Sequence, residues 1–410
     1  HEVRNIVSGA LGQPWDAVFR VLDEEPLGSA SIGQVHRATM LDGRRVVVKV
    51  QYPEVRALFD TDFANLRIAC RLYAPHMEPE LSELRRQLMS EFDFRREART
   101  MARIADNLGR AFPAVAVPRP VTGLVSRDVL VMSELAGTSL MAGLETLARA
   151  YADSQGISVD ELKRQLADKA RAEGGEEAEG GAMGGKLKLT MLKTYLRAST
   201  LARSTGVKLY NSSIGRIAGS PLSVPLPPLL DPETAIRKLA AVLGHQVLRD
   251  GLFSSDMHPG NVMLLPDGRI GLIDFGQAKE LTPTEQRLVS RIVVAVADND
   301  EAAMVSAAAA SRFRTKRNDP KTVARYVRLA WAGDVKELRA LHKEDPVEQT
   351  DGQLLMVRRA VILLRSLALA LGIRLNLAEE WAALARSVLA EGGGREDSEV
   401  DDGARRREEG

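Results

Sequence analysis

The fold of this chain is decided by two short segments, Ser-Asp-Met-His-Pro-Gly-Asn at residues 255–261 and Asp-Phe-Gly at residues 274–276. Asp256 and Asn261 have the Asp-x-x-x-x-Asn spacing of a kinase catalytic loop, and strand-like residues then lead to Asp274. Phosphoryl transfer uses an Asp near the attacking hydroxyl, an Asn on a metal ion, and a second Asp between the metal and the nucleotide phosphates. Asp-Phe-Gly alone is often an ordinary exit from a strand, but the two spacings together predict a phosphoryl-transfer site.

Such a site also needs a lysine on a strand and a glutamate on a helix, and both residue types lie upstream. The run Arg45–Val50 is rich in β-branched residues and contains Lys49, which we predict to contact the phosphates. The alternative for Lys49 is a solvent-facing position on a half-buried strand. Residues 80–106 carry apolar residues near helical spacing, which predicts one long amphipathic helix whose Glu97 pairs with Lys49.

The segment that would cover the phosphates departs from the Gly-x-Gly-x-x-Gly loop of ordinary protein kinases. It reads Pro-Leu-Gly-Ser-Ala-Ser-Ile-Gly-Gln-Val-His-Arg-Ala at residues 26–38 and resembles the alanine-rich loop of the UbiB/AarF family of atypical kinases. Three further segments resemble motifs of that family: Lys-Val-Gln-Tyr-Pro at 49–53, Glu-x-Asp at 91–93 with Glu-Ala at 97–98, and the catalytic loop at 256–261. The resemblance covers most of the chain and is interrupted by one insertion.

The resemblance implies an α+β, bilobal protein-kinase-like fold with a small β-rich N-lobe, extra helices and a larger helical C-lobe. It also implies ATP or ADP and Mg²⁺ as cofactors, with Asn261 and Asp274 as metal ligands. The catalytic residues would be Asp256 as the base, Lys49 and Glu97. Besides Lys49, the nucleotide-binding residues would be Gly28, Ser29, Ala30, Ser31, Ile32, Gly33, Val35 and the hinge residues Glu134 and Leu135.

The family's Glu-x-Asp signature falls on Glu91 and Asp93, which would face the active site and engage an N-terminal extension. The alternative for these two residues is an ordinary solvated position. The loop differs from the family pattern at Gly28 and Ser29, which make its backbone more flexible. Relatives also carry a Lys-x-Gly-Gln motif before the loop, which the only nearby Gly-Gln, at residues 12–13, does not match. Because the chain begins with His, we expect an N-terminal segment, with any targeting peptide, to precede it.

The order of the motifs predicts the domain organisation. Residues 1–135 form the N-lobe, 136–150 begin the C-lobe, 231–390 complete the C-lobe, and 391–410 are a disordered charged tail. Residues 151–230 are predicted to be an insertion with an acidic, glycine-rich linker. Within it, residues 186–203 are basic and amphipathic, which indicates either a helix packed on the C-lobe or a membrane-surface helix. The apolar run at 353–371 contains three arginines and is predicted to be a core helix rather than a membrane span.

Composition limits the classes of partner. With 56 basic and 55 acidic residues, the net charge is +1 and predicts no nucleic-acid partner. One cysteine excludes a disulfide within the chain. By family resemblance, the expected partners are a nucleotide, lipids or prenylquinone precursors, a membrane surface and a complex of biosynthetic enzymes. The same resemblance points to a chloroplast or mitochondrion, peripheral to the membrane, as the location.

Three functional hypotheses are compatible with these patterns. The first is a UbiB-type kinase or ATPase that uses Mg-ATP and supports prenylquinone or lipid metabolism. The second is a nucleotide-binding pseudokinase scaffold for a biosynthetic complex. The third is a small-molecule phosphotransferase of the aminoglycoside or choline kinase type, although those enzymes usually lack the alanine-rich loop and Glu-x-Asp. Residues 277 onward lack the Ala-Pro-Glu that closes a protein-kinase activation segment, which disfavours a peptide substrate.

Overall fold

The computed structural model describes residues 2–30, 32–73, 85, 89, 92–161, 164–165, 232–333, 335–349 and 352–391. Ser31, Glu91, the predicted helix at 186–203, most of the predicted insertion and the tail from 392 lie outside the described residues. The chain divides into two compact units, His1–Ala136 with Gly271–Ala278 and Gly137–Ile270 with Lys279–Gly410.

The first unit is built on a five-stranded sheet with the order β1-β2-β3-β6-β5. Its strands and helices are α1 (Glu2–Leu11), β1 (Phe19–Ala30), β2 (Gly33–Met40), β3 (Arg45–Gln51), α2 (Pro53–Tyr73), α3 (Phe94–Ala111), β4 (Val115–Ala116), β5 (Pro120–Val125) and β6 (Val129–Ser133), with a 3₁₀ turn at Trp15–Ala17. The sheet pairs antiparallel throughout. Neighbours in sequence pair as β1 with β2, β2 with β3 and β5 with β6, whereas β3 pairs with the more distant β6.

Strand β3 lies in the middle of this sheet and is buried from Val46 to Gln51. Its β-branched residues suit a strand that has neighbours on both sides. Helix α1 packs its apolar side, including the fully buried Val7, on a core that contains Val48 and Val50. The register pairs Lys49 with Val35 of β2 on one side and with Leu130 of β6 on the other. The position of Lys49 is therefore fixed by hydrogen-bonded strands on both edges of β3.

Helix α3 corrects the prediction of one helix from 80 to 106. Asp93 is the N-cap of α3, because its carboxylate accepts a hydrogen bond from the backbone N–H of Arg95. The helix therefore begins at Phe94, because Asp93 has an extended, non-helical backbone. The buried face repeats at helical spacing and consists of Phe94, Glu97, Ala98, Met101, Ile104, Ala105 and Leu108.

The second unit is mainly helical. Its helices are α4 (Leu140–Ser154), α5 (Pro232–His245), α6 (Pro283–Ala297), α7 (Glu301–Ala310), α8 (Pro320–Trp331), α9 (Val335–Glu344), α10 (Gly352–Ala370) and α11 (377–391). Its short strands are β7 (Thr138–Ser139), β8 (Leu252–Ser254), β9 (Val262–Leu264), β12 (Arg314–Thr315) and β13 (Val347–Gln349). Strands β10 (Ile270–Leu272) and β11 (Ala278–Glu280) fall at two of the three points where the sequence passes between the units.

Helix α5 leads into the predicted catalytic loop, as expected from the sequence. It continues as a π turn over Gln246–Asp250 and ends at Gly251, which has φ of 65°. A side chain at Gly251 would also lie 2.9 Å from the carbonyl oxygen of Leu281, so glycine is required here for two reasons. This abrupt end directs the chain into strand β8 and then to Asp256.

Helix α10 confirms the prediction of a core helix at 353–371. Val357, Ala360, Val361 and Leu364 are almost fully buried within the second unit. Arg365 is also buried, and its guanidinium donates hydrogen bonds of 2.9 and 2.6 Å to the carbonyl oxygens of Leu329 and Ala330. Among the residues that the structure describes, no helix is long and apolar enough to cross a membrane.

Candidate active site

The first unit brings Lys49 and Glu97 together in a buried ion pair. The Lys49 ammonium donates hydrogen bonds of 2.8 and 3.0 Å to the two carboxylate oxygens of Glu97. Lys49 is 6% exposed and Glu97 is 5% exposed, so neither charge is solvated by bulk water. The ring of Phe94 lies 5.2 Å from Lys49 Nζ and adds a cation–π contact. The solvent-facing alternative for Lys49 is therefore wrong.

Asp274 lies at the edge of the same charged group. Its Oδ1 is 3.8 Å from Lys49 Nζ and accepts a hydrogen bond of 2.9 Å from the backbone N–H of Gly276. The backbone N–H of Phe275 lies close enough to the Glu97 carboxylate to lower its pKa, while the ring of Phe275 is buried. The Asp-Phe-Gly turn is thus held against the Lys49–Glu97 pair, with about a third of the Asp274 side chain exposed.

The environment of Glu97 shifts the pKa of its carboxyl group. Burial raises the pKa of Glu97 above its ordinary value, the Lys49 ammonium opposes that rise, and the Asp274 carboxylate adds to it. Two carboxylates and one ammonium therefore lie close together in this part of the first unit.

The predicted phosphate cover is the end of the β1–β2 hairpin. Gly28, Ser29 and Ala30 belong to strand β1 rather than to an open loop, and Ala30 pairs with Gly33 across a two-residue turn. A side chain at Gly33 would lie 2.3 Å from the Val50 carbonyl oxygen, so this glycine is required by the close approach of strand β3. Gly28 has no such neighbour within 4 Å.

Ile32 and Val35 continue this arrangement into strand β2. The carbonyl oxygen of Ile32 accepts a hydrogen bond of 3.0 Å from the backbone N–H of Tyr52, and Val35 is half-buried opposite Lys49. These contacts tie the hairpin end to the residues around Lys49. Whether the hairpin binds phosphate stays a prediction.

The predicted hinge follows strand β6. Glu134 receives salt bridges of 2.8 and 2.7 Å from Arg37 and Arg45, which fix its side chain beside strands β2 and β3. Its backbone N–H donates to the carbonyl oxygen of Arg45 at 3.3 Å. The Glu134 carbonyl and the N–H of the half-buried Leu135 are the hinge groups that would then meet a base. Their contact with adenine stays a prediction.

The second unit folds the catalytic-loop residues into a compact turn. The Asn261 amide nitrogen donates to the backbone oxygen of Asp256 at 3.2 Å and to its carboxylate at 3.1 Å. His258 accepts a hydrogen bond from the Gly260 N–H through Nδ1 and closes the 3₁₀ turn Pro259–Asn261. The four residues between Asp256 and Asn261 therefore bring the two predicted site residues into direct contact, with the Asp256 side chain 27% exposed.

Two residues near the site were missed by the sequence analysis. Arg359 of helix α10 places its guanidinium 3.9 Å from the Asp256 carboxylate. Gln51 ends strand β3 two positions after Lys49, is 5% exposed, and has a buried amide nitrogen with no hydrogen-bond partner among the described residues. The sequence did contain a signal for Gln51. It lies in the Lys-Val-Gln-Tyr-Pro segment two positions after Lys49, so its side chain is expected on the same face of the strand as the predicted phosphate lysine. No sequence signal connected Arg359 to Asp256.

Asp93 has a role that the sequence analysis did not assign. Besides capping helix α3, its carboxylate forms a two-pronged ion pair with the Arg95 guanidinium at 2.9 Å per contact. These hydrogen bonds lower the pKa of Asp93, so the carboxylate stays charged well below neutral pH. Glu91 lies outside the described residues, and the joint role of the Glu-x-Asp signature stays a prediction.

Comparison with known proteins agrees with this arrangement. The sequence model of the ABC1 atypical kinase-like domain matches residues 1–170 and 229–308. The AarF domain-containing protein kinase 1 of Gallus gallus is 32% identical over 171 residues, which are 40% of this chain and 31% of that protein. The mitochondrial atypical kinase COQ8 of Saccharomyces cerevisiae is 32% identical over 147 residues, covering 34% of this chain and 29% of that protein. The matched regions thus span about a third of the length of these curated relatives.

The solved structure of Rv3197 with erythromycin, from Mycobacterium tuberculosis, superposes with a TM-score of 0.56 at 18% identity. The superposition covers 93% of this chain and 83% of that chain, and at this identity it speaks for the fold alone. Together with the domain match, it shows the predicted α+β, bilobal protein-kinase-like fold. With more than half of its residues matched by the domain model and the Lys49–Glu97 pair in place, the chain belongs to the ABC1, or UbiB/AarF, family of atypical kinases.

Proposed function

We propose that the chain binds Mg-ATP and transfers or hydrolyses its γ-phosphate. The observation that carries this proposal is the buried Lys49–Glu97 pair of the first unit with the partly exposed Asp274 carboxylate beside it. In phosphoryl-transfer enzymes of the kinase type, a strand lysine held by a helix glutamate binds phosphate oxygens, and the Asp of Asp-Phe-Gly holds the metal. A purely structural ion pair would not need a third, partly exposed carboxylate 3.8 Å from the ammonium.

Each residue of the proposed nucleotide site has a role that its surroundings support. Lys49 would neutralise phosphate oxygens while Glu97 fixes its position. The backbone N–H groups at the β1–β2 hairpin end would cover the phosphates, since main-chain N–H groups bind phosphate well. The carbonyl of Glu134 and the N–H of Leu135 would bind the adenine edge.

The metal ligands fit magnesium by their chemistry. Asp274 offers a partly exposed carboxylate, and Asn261 directs its amide nitrogen to Asp256, which leaves the carbonyl oxygen of its side chain for a cation. Magnesium prefers hard oxygen ligands and is usually held by one or two protein groups together with phosphates and water. Bound there, it would neutralise charge on the phosphates. The amide hydrogen bond also fixes the rotation of the Asn261 side chain.

Asp256 would act on the nucleophile. Its carboxylate is held by the Asn261 amide and is partly exposed, so it can accept a hydrogen bond from a hydroxyl group or a water molecule. Orienting this group and taking up its proton would assist in-line attack on the γ-phosphate. A hydroxyl acceptor gives a kinase, and water gives an ATPase.

The metabolic role and the compartment are proposed by analogy with the relatives. Matched proteins in Saccharomyces cerevisiae and Caenorhabditis elegans are named as mitochondrial atypical kinases of the COQ8 type. These names support a role in prenylquinone or lipid metabolism in a mitochondrion, with lipids, quinone precursors or a biosynthetic complex as partners. A membrane-peripheral site of action follows from the apolar character of such substrates.

The test is magnesium-dependent ATP hydrolysis by the purified chain, with and without lipid vesicles and a phenolic mimic of a quinone precursor. Asp256→Asn is the matched control, because it keeps the side-chain volume and removes the charge. Turnover that is present in the wild type and lost in Asp256→Asn supports the proposal. Nucleotide binding without turnover in either protein would refute catalysis and favour the scaffold, and the absence of nucleotide binding would refute both.

A further inference from the structure

A pocket in the second unit lies among helices α6 to α10, apart from the catalytic loop. Its volume is about 70 Å³, several times the roughly 10–15 Å³ that one water molecule needs. The walls are almost entirely apolar and include the aromatic rings of Phe313, Tyr326 and Trp331 and the side chains of Leu338 and Val357.

The rigidity of these walls indicates a preformed pocket. Phe313 and Tyr326 stack edge to face with ring centroids 5.6 Å apart, and Trp331 makes the same kind of contact with Trp381. The hydroxyl of Tyr326 donates to the backbone oxygen of Asp345 at 2.5 Å, so the polar end of this ring is already satisfied. These ring–ring contacts and the tyrosine hydrogen bond fix the positions of the rings, whose apolar parts line the pocket.

Arg358 is the one charged residue among the described residues that line the pocket. It is half-buried, and among the described residues its guanidinium forms no salt bridge or hydrogen bond, with the Tyr326 hydroxyl as the one titratable group that interacts with its charge. The residues three and four positions away on helix α10 are Leu354, Leu355, Val361 and Ile362, so its own helix supplies no acid.

The surroundings of Arg358 disfavour its charge. Burial lowers the pKa of the guanidinium, which nevertheless stays charged at any physiological pH. Its charge also reaches the Tyr326 hydroxyl, where it opposes the rise in pKa that burial causes. A partly desolvated charge without a counter-ion destabilises the folded protein, and an anion bound beside it would remove that cost.

We propose that this pocket binds a small amphipathic carboxylate, with its aliphatic tail among the aromatic rings and its carboxylate on Arg358. Planar guanidinium groups bind carboxylates through two parallel hydrogen bonds, and the apolar walls provide the energy for burying a short tail. This site is independent of the proposed nucleotide chemistry, because none of its lining residues belongs to the predicted nucleotide or metal site.

The test is a ligand-observed NMR titration of the full chain with hexanoate. Acetate lacks the aliphatic tail and tests whether the tail is needed. Hexan-1-ol keeps the tail but is uncharged, and hexylammonium keeps the tail but carries a positive charge, so these two test the need for a negative charge. Hexanoate should bind at least about tenfold more tightly than the other three, since it alone makes both the charged hydrogen bonds and the apolar contacts. Equal binding of hexanoate and hexylammonium, or no saturable hexanoate binding, would overturn the proposal.

Two matched variants identify the residue. Arg358→Gln should weaken hexanoate binding at least about tenfold. Arg325→Gln removes the same charge from an exposed arginine of helix α8 that pairs with Glu337 and does not line the pocket, and it should leave binding unchanged. Equal loss in both variants, or none in Arg358→Gln, would contradict the assignment.

The thermal stability of the ligand-free Arg358→Gln protein provides a second readout. Removing a desolvated charge that has no partner should leave the melting temperature unchanged or raise it. A fall of several degrees would mean that the wild-type guanidinium already has a partner within the protein, which would also overturn the proposal.

Discussion

Replacing Glu97 with Gln should destabilise the central strand around Lys49 in the absence of any nucleotide. Lys49 and Glu97 are 6% and 5% exposed, so the variant leaves a buried ammonium without its main counter-ion. Removing one partner of a buried ion pair usually costs about 3–5 kcal/mol of folding free energy. Asp274 remains 3.8 Å from the ammonium and the Phe94 ring remains beneath it, so we expect the lower end, about 3 kcal/mol.

Hydrogen exchange measures this effect locally, which matters because the chain has two compact units and need not unfold in one step. A loss of about 3 kcal/mol corresponds to roughly 100-fold faster exchange in the strand Arg45–Gln51 and the helix Phe94–Ala111. Peptides from helices α6 to α11 serve as the internal control and should be unchanged.

A double-mutant cycle uses Lys49→Met, Glu97→Leu and the double variant Lys49→Met with Glu97→Leu. Because the double variant removes both charges and fills the space with apolar side chains, it should be more stable than Glu97→Gln and approach the wild type. Additive costs of the two single changes would show that the charges are not coupled. Unchanged exchange in Glu97→Gln would show that the pair is not buried in solution, and either result would refute the reasoning.

Three further changes test other parts of the site. Gly33→Ala should lower the free energy of unfolding in urea by about 1–3 kcal/mol, because the added Cβ would overlap a backbone oxygen. Gly28→Ala is the control and should be neutral, since no atom lies within 4 Å of its added Cβ. Equal effects of the two changes would contradict the packing role of Gly33. Arg359→Gln should hardly change stability, since the arginine side chain is 45% exposed. Because its charge lies beside Asp256, the change should lower kcat on the order of tenfold at constant KM for ATP. An unchanged kcat would exclude a role of Arg359 in supporting Asp256. ATP hydrolysis should decline as the pH falls, with a midpoint pH above 4.5, the ordinary pKa of glutamic acid. The reason is that burial raises the pKa of Glu97, and protonation of Glu97 breaks its ion pair with Lys49. A midpoint pH at or below 4.5 would count against this cause.

The sequence is most informative where local pattern and chemistry coincide. The β-branched run around Lys49 predicts a buried strand, and a lysine in the middle of such a strand needs a counter-ion. Glu97 lies three residues after Phe94 and four before Met101, so the helical repeat itself places an acid on the buried face. These two observations are both local, and together they favour the ion pair that the structure contains.

Other features depend on information that is not local. The predicted helix extends too far toward the N-terminus because apolar residues near helical spacing continue through residues 81–92, while the Asp93 cap is a feature of one residue. Arg359 reaches Asp256 only through the packing of helix α10, which the sequence around either residue does not encode. Predicted positions that lie next to each other on one element are therefore more accurate than contacts between distant elements.

The two groups of site residues are held by different forces, and this difference separates binding from turnover. Lys49 and Glu97 form a buried ion pair between a strand and a helix, with the partly exposed Asp274 beside it, so loss of the pair should weaken nucleotide binding and local stability together. Asp256 is held by one amide on a surface turn, so Asp256→Asn should leave stability and nucleotide affinity close to those of the wild type. If that variant also loses nucleotide affinity, Asp256 contributes to binding rather than to the chemical step. If it keeps both affinity and turnover, Asp256 is not the base and the proposed mechanism is wrong.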